Sequence, residues 1–573
     1  MAATRLYKIP SSGYQIPRLL YRTLSTSVHT LSSSASTSSS SSALSGPSKI
    51  SSNTTNNMDS EQFREAAQSA IDKVVKYYEN IAEHRVVSKV EPGYLKPLLP
   101  DGPPLTGEPW AEIEKDIKDK ILPGVTHWQH PNFLAFFPAN SSYPGILGEI
   151  YSAAFTSANF NWLCSPAATE LETIVLDWLC KLLNLPECYL STSSTGGGGV
   201  IQGSASEAVV TVVVAARDRY LRHLTSGITD PAEKERVEDA HRSKLVALVS
   251  DQAHSCTQKG CMVAGVKYRT VKVPRHASTN TYTLTGDILR NRIEELKAEG
   301  LEPFYVTVTL GTTSLCAVDD FASIAQLRKD YPKLWIHVDA AYAGAALVCP
   351  EYQSLTPPFE HFDSFDMNMH KWLLTNFDCS CLFVKERKHL INALSLTPEY
   401  LRNSFSEKGL VTDYRDWQIP LGRRFRALKL WFVMRTFGVE GLQAHIRHTV
   451  STGLVFSKLV QERPDRFQIF TPPAFALTVF SVNPIVPDEE GSVERRNEIT
   501  KEVYEAVNAD GEIFITSSII DGNYVMRVVS GNAKIEEKHL QRAFEIILQK
   551  TEDIRAKGAH TPPVVEEKEL KGV

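Results

Sequence analysis

The sequence lacks the features that mark membrane, nucleic-acid and zinc-binding proteins. No stretch approaches the roughly 18 uninterrupted apolar residues that cross a bilayer. The net charge is -5 and no basic stripe dominates any segment, so a nucleic-acid partner is not expected. The nine cysteines form no CxxC pair and no cluster with histidine at zinc spacing. We therefore expect no metal, no membrane span and no nucleic acid, and we expect reduced thiols in the core.

The first 57 residues lack aspartate and glutamate altogether. They carry five lysines and arginines, and residues 32–45 are rich in serine. Because such a composition cannot bury a core, we expect residues 1–57 to form a disordered leader. It is also typical of an organelle-targeting peptide, although Met58 is an alternative start site. A cytoplasmic location is expected, or a mitochondrial one if the leader acts as a targeting peptide.

Beyond the leader, the hydrophobic pattern divides the chain into three parts and a tail. Residues 58–142 show helical spacing interrupted by proline-rich turns. Between residues 143 and 428, helical stretches alternate with short apolar runs at 245–249, 305–310, 334–338 and 381–384. That alternation predicts an α/β domain with a mostly parallel central sheet covered on both faces. Residues 429–557 predict a smaller α+β domain with strands at 477–482, 513–516 and 524–529, and residues 558–573 a flexible tail.

Three loops of the predicted α/β domain carry residues suited to ligand binding. In a parallel sheet, ligand groups gather on the loops that leave the carboxyl ends of the strands. The first loop is glycine-rich, at residues 194–199 and 203–208. Glycines and a helix N-terminus favour an anion, so we expect a phosphate near Ala205 and Ser206. A plain flexible loop is the alternative, and a dinucleotide is disfavoured because the glycines do not fit GxGxxG after a clear strand.

The other two loops carry an acid and a lysine. Asp339 ends an apolar run, where a carboxylate needs a cation such as a protonated pyridine nitrogen. Lys371 lies between apolar residues about 32 positions later, where burial lowers the pKa of the amine and makes it available for a Schiff base. Taken singly, the acid could be a structural ion pair or a helix cap, and the lysine an exposed turn residue. The three loops together favour a cofactor that carries a phosphate, a ring nitrogen and an aldehyde.

Longer motifs extend this pattern. They read HWQHPNFLAFFPANSSYPGILGE (127–149), SPAATELETIVLDWL (165–179), GVIQGSASEA (199–208), SDQAHSC (250–256), LGTTS (310–314), HVDAAYAG (337–344), DSFDMNMHKWLLTNFDCS (363–380) and DYRDWQIPLGRRFRALKLW (413–431). Over about residues 58–555, the chain resembles the group II pyridoxal-phosphate decarboxylases, and most closely the aromatic-L-amino-acid decarboxylases. The resemblance implies a fold type I PLP-dependent transferase-like fold, pyridoxal 5'-phosphate as cofactor, and a homodimer with interfacial active sites. Residues 58–142 would then be the dimerisation segment and 143–428 the large PLP-binding domain.

The resemblance also implies roles for individual residues. Lys371 would bind the cofactor covalently, Asp339 would pair with the pyridine nitrogen, and His254 would stack on the ring opposite Ala341. Further cofactor positions are those for the phosphate (Ala205, Ser206, Asn368) and those beside the ring and the lysine (Thr313, His370). The family positions for an aromatic substrate are Trp128, Phe136, Pro138, Phe160, Phe377 and Gly422.

The resemblance finally implies a reaction. Tyr400 matches a mobile-loop tyrosine that delivers a proton to Cα once CO2 has left. The expected catalytic residues are thus Lys371, Tyr400, His254 and Asp339, and the expected activity is decarboxylation of tryptophan, phenylalanine, tyrosine or DOPA to the arylalkylamine. Gly422 leaves room that would suit indole. The main alternative is an aldehyde synthase on the same scaffold, which relatives with phenylalanine at position 400 tend to be. An aminotransferase and an inactive binding protein are further alternatives.

Overall fold

A seven-stranded sheet lies at the centre of the computed structural model, which describes residues 58–484 and 492–559. Its strands are β1 (Gly198–Gln202), β2 (Leu245–Ser250), β3 (Lys267–Val271), β4 (Glu302–Thr309), β5 (Trp335–Asp339), β6 (Ser364–Asn368) and β7 (Ser380–Val384). They lie side by side in the order β1-β7-β6-β5-β4-β2-β3. The run from β6 to β3 is parallel, whereas β7 is antiparallel to both β6 and β1. The predicted mostly parallel central sheet is confirmed.

Helices cover both faces of this sheet because its strands bury side chains on each face. Along β2, Leu245 and Ala247 join one apolar core, whereas Val246 and Leu248 join another. Within the described ranges the α-helices are α1 (Ser60–Glu79), α2 (Trp110–Asp116), α3 (Tyr143–Ala154), α4 (Pro166–Leu182), α5 (Ala205–Leu224), α6 (Pro231–Arg242), α7 (Cys256–Val263), α8 (Gly286–Ala298), α9 (Phe321–Gln326), α10 (Met369–Trp372), α11 (Lys388–Leu394), α12 (Ser404–Glu407), α13 (Ala427–Gln461), α14 (Ser492–Asp510) and α15 (Glu537–Ala559). Of these described helices, none is both long and apolar enough to cross a membrane.

A second, smaller sheet follows α13. It is antiparallel, with strands β8 (Phe467–Ile469), β9 (Leu477–Val482), β10 (Thr516–Ile520) and β11 (Asn523–Val529) in the order β10-β11-β9-β8. Phe456, Phe480 and Phe544 form the centre of a separate apolar core between this sheet, α13 and α15. The smaller α+β part is thus present, while the exact domain boundaries stay predictions. The predicted leader 1–57 and the tail beyond residue 559 lie outside the described residues.

Two predictions of local structure were wrong. Ile513 and Ile515 are buried, but the paired strand there is Thr516–Ile520, because a tight turn with positive φ at Asp521 and Gly522 sets its register against β11. The glycine run does not form one loop either. Gly198 and Gly199 begin β1, and only the short connection after Gln202 leads into α5.

A buried ion pair ties the edge of the central sheet to the segment before α13. The Arg423 guanidinium donates to Glu172 of α4 at 2.6 and 2.9 Å, and both side chains are 3% exposed. Glu172 also accepts from the backbone N–H of Ile201 in β1, and Arg423 donates to Gln418. The bridge therefore fixes the loop that carries Gly422 against β1.

We expect Arg423→Ala to destabilise the protein by about 3–5 kcal/mol, because it leaves the buried Glu172 carboxylate without its cation. The measurement is the midpoint of denaturant unfolding. Arg447→Ala is the matched control, since the pair of Arg447 with Glu351 is exposed on both sides and screened by water. Equal shifts of the midpoint in the two variants would contradict the role given to the buried bridge.

Candidate active site

The carboxyl ends of three parallel strands border a cavity of about 220 Å³. The last residue of each strand lines it, namely Thr309 of β4, Asp339 of β5 and Asn368 of β6. This is the edge of a parallel sheet at which ligands bind. All the residues predicted to contact the cofactor line this one cavity: Ala205, Ser206, His254, Thr313, Asp339, Ala341, Asn368, His370 and Lys371.

One end of the cavity is suited to an anion. Ser204 caps α5 by accepting the N–H of Glu207, which leaves the N–H groups of Ala205 and Ser206 without an acceptor among the described residues. Helix N-termini bind anions through such free donors and through the helix dipole. Across the cavity, Asn368 Oδ1 is buried without a hydrogen bond. An orphaned polar atom in a lined cavity indicates a ligand or a water that satisfies it.

Another wall carries a carboxylate without a cation. Asp339 is 4% exposed, and its Oδ1 accepts the N–H of Ala341 at 3.0 Å. Its Oδ2 has only the Cys256 thiol, at 4.0 Å. In the described part of the chain, no lysine, arginine or histidine nitrogen lies within 4.0 Å of this carboxylate. Because a buried carboxylate is costly without a positive partner, the cavity suits a cationic ring nitrogen at this position.

Lys371 is half-buried and lines the same cavity from α10. Burial lowers the pKa of its amine, and the nearby Asp339 only partly opposes that effect. A larger fraction of the lysine is therefore uncharged than in water, as a nucleophilic amine requires. Its position is fixed by Asn140, whose backbone N–H donates to the carbonyl of His370 and whose side chain donates to the carbonyl of Lys371.

For two histidines on the cavity wall, a hydrogen bond determines which ring nitrogen carries the proton. Nδ1 of His254 accepts the backbone N–H of Cys256 at 3.0 Å, so its proton lies on Nε2. Nδ1 of His370 likewise accepts the N–H of Cys379 at 2.9 Å. Burial lowers the pKa of His370 to about 3, so this ring is neutral at physiological pH. His254 is the more exposed of the two, as a residue that meets a bound ring must be.

The residues predicted for the substrate do not join this cavity in the single chain. Trp128, Phe136, Phe377 and Tyr400 are exposed, and Tyr400 is 78% accessible. Trp128 and Phe136 stack on each other at 5.7 Å, and Phe377 lies 4.5 Å from the His370 ring. The remaining predicted positions, which also lie outside the cavity, are Pro138, Phe160 and Gly422. The chain thus brings the cofactor residues together but not the substrate residues.

Six further residues line the cavity that the sequence did not single out: Phe137, Ser204, Cys256, Thr309, Gly311 and Tyr342. Gly311 has a φ of +88°, and a side chain there would meet Ala343 at 2.5 Å. Tyr342 stacks between Phe137 at 3.7 Å and Trp372 at 4.4 Å. Five of the six lie within two residues of a predicted site residue, so sequence proximity was the available signal, whereas Thr309 lies four residues from Thr313.

Comparison with known proteins identifies the family. The pyridoxal-dependent decarboxylase conserved domain matches residues 92–483. The chain belongs to the pyridoxal-dependent decarboxylases. Phenylacetaldehyde synthase of Arabidopsis thaliana is 46% identical over 490 residues, which span 86% of this chain and 96% of that protein. Tyrosine decarboxylase 2 of Narcissus pseudonarcissus is 44% identical over 489 residues, which span 85% and 94%. The crystal structure of Oryza sativa TDC with PLP and tryptamine has a TM-score of 0.81 at 38% identity and covers 87% of this chain and 99% of that one.

Family membership confirms the predicted fold class, the pyridoxal-phosphate cofactor and the type of enzyme. The cavity fits this cofactor on its own chemistry. It offers free helix N–H groups for the phosphate, a carboxylate without a cation for the ring nitrogen, and a lysine of lowered pKa for the aldehyde. Both activities weighed from the sequence, amine formation and aldehyde formation, occur among the relatives.

Proposed function

We propose that this enzyme converts an aromatic L-amino acid to the corresponding arylalkylamine and CO2. The observation that carries the proposal is the single cavity shared by Lys371, Asp339 and the free N-terminus of α5. Bound pyridoxal phosphate supplies the electron sink that allows CO2 to leave Cα. The fold of the chain then has to hold the cofactor, orient the substrate carboxylate and deliver a proton.

We propose that the cofactor is held by residues on rigid elements of the fold. Ala205 and Ser206 would donate backbone N–H groups to the phosphate, with Asn368 beside it, and Thr313 would lie beside the ring. Asp339 would stabilise the proton on the ring nitrogen. His254 and Ala341 would hold the ring, and His370 adjoins Lys371, whose uncharged amine would be available to the aldehyde.

Tyr400 decides which product forms in this proposal. Sequence identity does not choose between amine and aldehyde, because a synthase and a decarboxylase match at 46% and 44%. A phenolic hydroxyl within reach of Cα can donate the proton that completes the amine. Tyr400 lies on an exposed turn, Glu399–Leu401, next to the short helix α12. The turn must therefore close over the substrate before its hydroxyl can act.

The substrate pocket is proposed to form between two copies of the chain. Exposed apolar side chains are concentrated on the N-terminal elements, among them Phe63 of α1, Trp110 of α2, Ile150 of α3 and Trp178 of α4. So much accessible apolar surface indicates a protein interface. The aromatic residues Trp128, Phe136 and Phe377 are exposed as well, and a partner subunit would turn them into pocket walls that suit a flat aromatic side chain. Gly422, with open space around it, favours a bulky ring such as indole.

We also propose a cytoplasmic location. All nine cysteines are free thiols, and seven of them are buried. Proteins with this many unpaired cysteines belong to reducing compartments.

We expect Lys371→Ala to abolish turnover and the covalent cofactor linkage that borohydride traps, since no other lysine lines the cavity. The measurements are mass spectrometry after borohydride reduction and amine formation from tryptophan, tyrosine, phenylalanine and DOPA. Lys429→Ala is the control, because Lys429 is buried beside Glu149 but does not line the cavity. A trapped cofactor in Lys371→Ala would remove this lysine from its role, and absence of any amine from the unmodified enzyme would overturn the proposed reaction.

Tyr400→Phe should shift the product from amine to aldehyde. It removes only the hydroxyl, so substrate binding and CO2 loss persist while proton delivery slows by about 10²–10⁴-fold. O2 would then take two electrons from the longer-lived carbanion and be reduced to peroxide, and water would hydrolyse the resulting imine to aldehyde and ammonia. The measurement is the amine-to-aldehyde ratio under air for both proteins, with peroxide quantified. An unchanged ratio with turnover retained would show that another group donates the proton.

We expect the enzyme to sediment as a dimer that survives micromolar dilution. Ile150→Asp, on α3, should weaken the dimer and reduce activity in parallel, because it puts a charge into the proposed interface. Ile519→Asp is the matched control, since Ile519 is an exposed apolar residue of the small sheet, outside that surface. An active monomer, or equal effects of the two substitutions, would contradict the interface.

A further inference from the structure

A second carboxyl group lies beside Asp339 on the central sheet. Asp366 of β6 is the register partner of Asp339 on β5, and adjacent strands are only about 4.8 Å apart. Asn368, two residues further along β6, lines the cavity, so Asp366 points to the same face of the sheet. Its exposed fraction is 0%. Two carboxyl groups are therefore buried side by side under the cofactor site.

The surroundings of Asp366 do not support a negative charge. Oδ1 accepts one hydrogen bond, from the Ser380 hydroxyl at 2.7 Å, and Oδ2 is buried without a partner. Asp363, only three residues earlier, shows the opposite arrangement. It is bound by Arg219 at 2.6 Å and by Arg328 at 2.7 Å, and it accepts the N–H of Ile336. Asp363 has the environment of a carboxylate, whereas Asp366 has that of a neutral acid.

The positive charge available in the cavity also favours a neutral Asp366. Lys371 is the one lysine or arginine in the lining, and it cannot neutralise two carboxylates. A buried carboxyl group without a cation takes up a proton, and a neighbouring like charge strengthens that tendency. The pKa of Asp366 is raised to about 8, because burial and the neighbouring Asp339 raise it more than Ser380 and Lys371 lower it.

We propose that Asp366 is a positioning residue that stays protonated, so that Asp339 is the single carboxylate beside the cofactor ring and Lys371 keeps an uncharged amine. The inference rests on the proposed function of this cavity. A second negative charge would favour the ammonium form of Lys371, because Asp366 is among the groups that raise the pKa of this lysine. The lysine would then be a poorer nucleophile.

Other titratable groups face Asp366 from the elements packed around it. The group on β5 besides Asp339 is His337, whose pKa burial lowers to about 4. From α7, the thiol of Cys256 is kept protonated by burial, which raises its pKa, whereas Cys381 of β7 pairs with Met367 on the opposite face of the sheet. On α5, Glu207 is bound to the backbone of Gly203, and Arg219 is bound to Asp363. None of these groups supplies a cation to Asp366.

The first test is the thermal stability of the full-length chain between pH 5 and pH 8, with and without pyridoxal phosphate. An aspartate with a raised native pKa binds a proton that the unfolded chain, with a pKa near 3.9, has released. Its contribution to stability is complete below about pH 4 and is lost as the pH rises towards 8. Asp366→Asn keeps a neutral side chain of the same shape. We therefore expect its melting temperature, relative to the unmodified protein, to rise with pH across this window.

Asp363→Asn is the matched control. Its carboxylate is charged in the native protein, because the two arginines outweigh burial and hold its pKa low. This variant should lose stability, and the loss should already be complete at pH 5. If Asp366→Asn loses stability in the same manner, Asp366 is ionised and the proposal is wrong. Without pyridoxal phosphate, this result stands whether or not the proposed reaction is correct.

The second test is the absorbance of the bound cofactor as the pH is raised. The unmodified enzyme should show an alkaline transition near pH 8 that Asp366→Asn lacks. Ser380→Ala removes the hydrogen bond that favours the ionised form, so it should move the same transition up by about one pH unit. This variant also keeps the test decisive if Asp366→Asn does not fold. A transition that is identical in all three proteins would show that Asp366 does not act on the site.

Discussion

Asp339 ends a strand that is buried along its whole length, and the fold gives it a backbone donor and a thiol but no cation. Leaving a carboxylate in this state costs several kcal/mol unless a positive group arrives. The rest of the cavity is arranged around that requirement. In the proposed arrangement, the N-terminus of α5 would hold a phosphate, the lysine of α10 would react with an aldehyde, and Asp339 would pair with a ring nitrogen. Pyridoxal phosphate carries these three groups, so its binding would offset the electrostatic cost of burying the Asp339 carboxylate.

The same face of the sheet carries other incomplete hydrogen bonds. Thr309 Oγ1, His337 Nε2, Asp366 Oδ2 and Asn368 Oδ1 are buried without partners, and they belong to β4, β5 and β6. A folded protein tolerates few such atoms, and those it keeps tend to lie at functional sites. Helices α5 and α7 cover this face and exclude bulk water from it. Low dielectric surroundings then make each remaining charge act strongly, which is why the protonation state of one neighbouring carboxyl group matters.

The sequence predicted the site correctly where the chain itself brings the residues together, and less well where it does not. Asp339 and Lys371 were found because strand ends and apolar flanks determine where they lie, and the structure brings them to one cavity. The strand expected at 513–516 was displaced because the register of β10 comes from the turn at Asp521, which hydrophobicity does not report. Trp128, Phe377 and Tyr400 were predicted for a pocket that one chain does not form. Asp366 was missed because a burial environment, unlike a motif, has no signature in the sequence.

The burial of the proposed cofactor residues and the exposure of the proposed substrate residues also bear on why the relatives form different products. Several residues proposed to hold the cofactor lie on β5, β6 and the start of α5, where a change of one side chain disturbs a packed core. Most aromatic residues proposed for substrate and product choice are exposed, among them Trp128, Phe377 and Tyr400, and substitutions there cost little stability. A synthase and a decarboxylase can therefore both remain above 40% identical to this chain while forming different products. In our proposal, the outcome for the substrate depends on a few side chains that the core does not constrain, Tyr400 among them. Overall identity is therefore a weak guide to the product, since a synthase and a decarboxylase match this chain almost equally well.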